Sequence, residues 1–150
     1  DHKEELCVAI GERVNEQLFE EIDDILSRES LGVEETLRRL VREIFSFWEE
    51  HTEIFEIFYT EPAPNTLNTQ GLTNSLFSRY TETFRELFGR WVQQDRLEGN
   101  AVALTHFLWG MIASKIVYWS FQGHTPGLAE HADRFVDHFL GGAKRGPRAR

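Results

Sequence analysis

Apolar residues recur along this chain at the three- and four-residue spacing of helices, and the pattern predicts six of them. Leu6, Ile10, Val14, Leu18, Ile22, Ile25 and Leu26 mark one face of a first helix, which opens on a capping-box-like Asp1 and Glu4 and runs to about Arg28. Ser30-Leu31-Gly32 breaks it. A second helix carries Leu37, Leu40, Val41, Ile44, Phe45 and Trp48 on one side. Thr52 reads as the N-cap of a short third helix with Ile54, Phe55, Phe58 and Tyr59, ended by Pro62 and Pro64. Glu61 to Gln70 is polar and proline-containing and reads as a long loop. The fourth helix spans roughly Leu72 to Arg96, burying Leu76, Phe77, Tyr80, Phe84, Leu87, Phe88 and Trp91, with Gly99 as its stop signal and Asn100 as the next N-cap. The fifth runs from Ala101 to about Phe121 and is apolar on more than one face. Thr125-Pro126 starts the sixth, in which Leu128, Ala132, Phe135, Val136, Phe139 and Leu140 follow at helical spacing before Gly141-Gly142 ends it. No segment reads as a strand, an internal repeat or a linker, so the expectation is a single all-α domain over residues 1–142 with a basic flexible tail at 143–150.

Composition adds two constraints. Twelve Phe, four Trp and three Tyr in 150 residues are more large side chains than a core of this size needs, so some are expected to line a cavity or an interface. Net charge is −9, and the tail holds Lys144, Arg145, Arg148 and Arg150, so the body is more acidic still. Duplex binding needs clustered cations to displace counterions from phosphates, and this body would repel DNA. The lone Cys7 forms no internal disulfide, the charged N-terminus is no signal peptide, and Asn100, His106, Ser114 and Lys115 interrupt the best membrane-span candidate. The sequence reads as cytoplasmic, with no membrane partner.

Catalytic chemistry finds no footing. There is no Gly-rich phosphate loop and no nucleophile elbow, so no enzyme is expected. His124, His131 and His138 recur every seven residues, but metal sites pair ligands three or four apart, and the residues at those positions between His131 and His138 are Arg134 and Phe135. No histidine has Glu three residues before it, as a di-iron bundle would require. No metal and no cofactor is expected. The acidic runs, such as Glu20-Glu21-Ile22-Asp23-Asp24, read as solvated faces.

The ordered set of segments resembles the C-terminal domain of TetR-family transcriptional regulators. Lys3-Glu4-Glu5-Leu6 with Glu12-Arg13-Val14 looks like the passage from a DNA-binding head into the regulatory domain. Leu87-Phe88-Gly89 and Gln94-Asp95-Arg96-Leu97 resemble the end of its long helix and the turn after it. Asn100 to Ile112, with Phe107-Leu108-Trp109-Gly110-Met111, and the closing segment from Ala132 to Gly142 resemble its last two helices. The resemblance implies a six-helix orthogonal bundle of that type. It also implies a homodimer whose last two helices pair with their mates in a four-helix bundle, and a small-molecule pocket among the earlier helices. The family's helix-turn-helix head would precede Asp1. The chain is therefore expected to be a fragment, with operator DNA bound only through that head.

The residues support the pairing on their own terms. A helix apolar all round must be covered all round, and five partner helices would struggle to cover the fifth, so a dimer is the simplest cover; a central helix in a monomer is the alternative. Met111, Ile112, Tyr118, Trp119, Leu128, Phe135, Val136 and Phe139 are the candidate interface. Trp48, Phe55, Tyr59, Phe77, Tyr80, Phe84, His106 and Trp109 are the candidate lining of a pocket for a small hydrophobic or aromatic effector, although plain core packing would account for any one of them. A helical protein–protein interaction module without a small-molecule ligand is the competing reading.

Overall fold

A computed structural model describes residues 2–28, 30–54, 67–124 and 127–143, with only the backbone of Lys3, Glu4, Cys7, 67–76 and 142–143. These residues form five α-helices and one short 3-10 turn, and no strand among them. The helices are α1 (His2–Ser27), α2 (Val33–Glu50), α3 (Leu67–Gln93), α4 (Ala101–Phe121) and α5 (Ala132–Ala143), with the 3-10 turn at Ala129–His131 leading into α5. Residues 52–54 are helical as well, but the rest of the expected short helix, Phe55 and Tyr59 included, lies outside the described residues. So do Asp1, Pro62, Pro64 and the Thr125-Pro126 start.

Helix α2 is the hub, because its apolar positions fall on one strongly amphipathic face. Leu37, Leu40, Val41, Ile44 and Phe45 are fully buried, and Thr36, Phe47 and Trp48 nearly so. Each such Leu or Phe contributes about 1.5–3 kcal/mol relative to an exposed one. Helix α2 packs on α1 and α5, while α3 bridges α1 and α4. Leu18, Phe19 and Ile22 anchor α1 in the core, whereas Leu6 and Ile10, on the same face nearer its start, are exposed. Phe45 meets Phe135 of α5 edge to face at 5.3 Å, and Phe139 of α5 meets Phe88 of α3 at 5.7 Å.

The helix ends follow the capping logic in some places and depart from it in others. Asn100 caps α4 as expected, its side chain accepting from the backbone N–H of Val102 at 3.0 Å and of Ala103 at 3.1 Å. At the far end of α4, Gly123 takes φ +74, and the N–H of His124 reaches back to the Trp119 carbonyl. Helix α3 stops earlier than Gly99. Asp95 adopts φ +53, its N–H bonds to the Val92 carbonyl, and the N–H of Arg96 bonds to the Trp91 carbonyl, a Schellman closure built on an aspartate. Helix α3 also starts earlier than Leu72, since 67–70 are helical rather than loop. Thr52 is no N-cap: its hydroxyl donates back to the Glu49 carbonyl at 2.9 Å, the habit of a threonine already inside a helix. Gly141 and Gly142 do not end α5, which continues to Ala143.

Helix α4 is long and apolar enough to cross a membrane by length and composition, since His106, Ser114 and Lys115 do not lower its average enough to disqualify it. In this fold it packs along α3, and Leu104, Leu108, Ile112, Ile116 and Trp119 are buried.

Candidate functional site

Aromatic rings from three helices converge around Tyr80. On α1, Phe19 is one turn past a buried Asn15, and its ring lies 4.8 Å from that of Tyr80. Tyr80 stacks on Trp109 of α4 at 4.5 Å with 26° between the planes, and Phe77 closes on the same indole edge to face at 6.0 Å. Along α3 the stack continues from Tyr80 to Phe84 and from Phe84 to Phe88, each step 6.4 Å. Helical spacing explains the ladder: positions three and four apart share a face, so 77, 80, 84 and 88 line up. The Arg79 guanidinium sits 3.9 Å from the Phe19 ring centroid.

The ladder is buried at Tyr80 and Phe84 and opens toward Phe77, which is 46% exposed. Asn15 donates to the Gly11 carbonyl at 2.7 Å, while its side-chain oxygen has no partner among the described residues. The rings pack on one another, so the apolar surface they leave to a hydrophobic or planar guest is at the Phe77 end.

Of the residues expected to line a pocket, the structure brings Phe77, Tyr80, Phe84 and Trp109 together and adds Phe19, which sequence reasoning did not single out. Trp48 is elsewhere, buried edge to face against Phe47 at 5.4 Å. His106 is exposed and lines a different groove, with Phe107, Gly110, Met111, Ser114, Lys115, Tyr118 and Phe135.

That second groove, about 550 Å³, lies between α4 and α5. A contiguous one of about 480 Å³ shares Phe107 and Met111 and extends to Asn100, Leu104, His138 and Phe139. Phe107 is 64% exposed and Tyr118 58%, a concentration of apolar surface on one helix that soluble chains seldom leave bare. The residues expected to form a dimer interface divide here. Met111 and Tyr118 lie on this open face. Ile112, Leu128 and Val136 are fully buried within the chain and have no surface to offer; Trp119, Phe135 and Phe139 retain only a few per cent. The reason is geometric: an evenly apolar helix gives no sign of which side its own neighbours take, and in this fold the side of Leu104, Leu108 and Ile112 is the buried one.

Charge fixes the first half of α5 and the turn before it to α2. Arg38 donates to the Asp133 carbonyl at 2.8 Å and to Glu34 at 2.7 Å, and bridges to Asp137; Arg42 reaches the Asp133 carboxylate at 2.7 Å. The hydrogen bonds that Arg38 donates to Glu34 and then to Asp137 push its pKa above its already high ordinary value. Further along α2, the Glu49 carboxylate accepts from the backbone N–H of Leu128 and, at 3.2 Å, of Ala129, a negative group at the start of the 3-10 turn that leads into α5. Glycine at 127 permits this approach, because a Cβ there would sit 2.9 Å from a Glu49 oxygen. On the other side of α2, burial and then the charges of Glu21 and Glu50 raise the Glu43 pKa above the ordinary 4.5.

No group of three or more His, Cys, Asp or Glu is placed to hold a metal among the described residues. No family profile matches the sequence. No curated protein matches it either. Solved structures do. The fatty acid degradation regulator FadR of Bacillus halodurans superposes with a TM-score of 0.75 at 16% identity, over 91% of this chain and 73% of that one. The transcriptional regulator FadR of Bacillus subtilis, solved in complex with stearoyl-CoA, superposes with a TM-score of 0.76 at 13% identity, over 95% of this chain and 77% of that one. At such identities the likeness is one of fold, and the fold of this chain is the all-helical one that occupies about three quarters of each of those two regulators.

Proposed function

We propose that this chain is the effector-binding and dimerisation domain of a TetR-type transcriptional repressor. It is a cytoplasmic, non-enzymatic module that binds a small hydrophobic effector and pairs with a second copy of itself. Operator recognition belongs, in this reading, to a helix-turn-helix unit that these 150 residues do not contain; the acidic body is unsuited to DNA. The observation that carries the reading is the likeness of fold to two regulators over more than nine-tenths of this chain. The ring ladder from Phe77 through Tyr80 and Trp109 supports a hydrophobic ligand. One of the two regulators was solved with stearoyl-CoA, which makes a long-chain acyl thioester the first ligand to try. The open face of Phe107, Met111 and Tyr118 supports pairing across α4 and α5.

Thermal shift tests the ligand half. A compound at a hundred times its Kd adds about 2.7 kcal/mol to a fold it binds selectively. In a domain of this size that raises Tm by roughly 5–10 °C. Stearoyl-CoA or a member of a lipophilic panel should do so while coenzyme A alone does not. A flat response to the whole panel would favour a protein-interaction module instead.

A further inference from the structure

At the end of the bundle formed by the last turn of α1, the start of α2 and the end of α3 lies a cavity of about 500 Å³. Its apolar walls are Ile25, Leu26, Leu31, Leu87 and Trp91, and its polar lining is Arg28, Arg90, Arg96, Gln94 and Thr36. The charge is the informative part. In a chain with 25 acidic and 16 basic residues, three arginines and, among the described residues, no carboxylate line this cavity. Arg28 is paired with Asp24 at 2.6 Å. Arg96 spends its donors on neutral acceptors, the Leu31 carbonyl at 3.2 Å and the Gln94 side chain at 3.4 Å, with its guanidinium 5.9 Å from the Trp91 ring. Arg90 makes no hydrogen bond or ion pair among the described residues. Beside them α2 begins at Gly32, which supplies no side-chain cap, and the carboxylates of its first turn, Glu34 and Glu35, are held by Arg38 and Arg39.

We propose that this cavity is a binding site for an amphipathic anion, a carboxylate or phosphate head carried on a compact apolar body. The head engages Arg90 and Arg96, whose planar forks match the oxygens of both groups. The body lies on Trp91, Leu87 and Ile25. The site lies at the far end of the ring ladder from Phe77: Tyr80 and Trp91 are eleven residues apart on one helix, about 16 Å along its axis, and Phe88, the last ring of the ladder, meets Trp91 edge to face at 5.8 Å. It does not depend on the effector assignment made above.

The test is titration of the full chain at low salt with phenyl phosphate, benzoate and inorganic phosphate, followed by the indole N–H resonance of Trp91, assigned with Trp91→Phe. Phenyl phosphate or benzoate should shift that resonance saturably, and the stronger of the two identifies the head group. Inorganic phosphate should bind at least tenfold more weakly than phenyl phosphate. Arg90→Gln, which breaks no contact in the free protein, should weaken binding at least tenfold with Tm unchanged. Arg28→Gln serves as a second variant, with a smaller expected loss. No saturable shift with any probe, or affinity unaltered in Arg90→Gln, would overturn the proposal. Equal binding of inorganic phosphate and phenyl phosphate would refute the apolar half of it.

Discussion

The carboxylate of Glu49 holds the turn that leads into the last helix from 79 residues away, and its removal has a calculable cost. Glu49→Ala leaves the N–H groups of Leu128 and Ala129 without their acceptor. A hydrogen bond to a charged group is worth about 1.5–3 kcal/mol, and loss of a helix-start acceptor costs about 0.5–2 kcal/mol. The site is only partly buried and water can replace some of the loss, so about 2 kcal/mol is expected for the pair. For a chain of this length that lowers Tm by roughly 4–8 °C. Gly127 supplies the internal control. Gly127→Ala places a methyl 2.9 Å from a Glu49 oxygen and should cost about 1 kcal/mol in the wild-type background by displacing the carboxylate. In the Glu49→Ala background there is nothing left to displace, and the same substitution should cost little. Urea unfolding of the four proteins gives the coupling directly. If Glu49→Ala unfolds at the wild-type midpoint, or if Gly127→Ala costs the same in both backgrounds, the carboxylate does not hold the turn before α5.

Three further outcomes follow from the same geometry. Asp95→Gly should stabilise the chain by about 1 kcal/mol in urea unfolding, because only glycine occupies φ +53 without steric cost. Glu43 has a folded pKa above its ordinary value, so its contribution is favourable below about pH 4.5 and is lost as pH rises through the folded value. Glu43→Gln should therefore stabilise at pH 7 by roughly 0.5 kcal/mol or less, given solvent screening at a partly exposed site, and the gain should vanish near pH 4. Tyr118→Glu puts a charge on the open face of α4 without touching the core; under the proposed pairing, sedimentation velocity should show a dimer for the wild type and a monomer for the variant.

Much of the fold is legible in the sequence because its signals are local. The amphipathic stripe of α2 and the Asn100 cap each lie within a few residues and read correctly. The end of α3 was hidden because an aspartate in the left-handed region carries no glycine signature, and its start because Leu67-Asn68-Thr69-Gln70 is as polar as a loop. The functional surfaces were harder. Phe77, Tyr80 and Phe84 announce themselves by spacing on one helix, and Trp109 joins them across α4. Phe19 gave no such sign, nor did the cluster of Arg28, Arg90 and Arg96, whose members are scattered in sequence and meet only when α1 and α3 pack. The face of α4 that stays open could not be assigned from a helix apolar on every side; only the packing of the neighbouring helices decides it.

The claim that this domain senses a hydrophobic effector on the ring ladder is tested most directly by equilibrium titration with stearoyl-CoA, coenzyme A serving as the control. The account predicts saturation at one site per chain, no binding of coenzyme A alone, and at least a tenfold weaker Kd in Trp109→Ala, which removes the indole stacked on Tyr80. No saturable binding of the acyl thioester, or an affinity indifferent to Trp109, would contradict it.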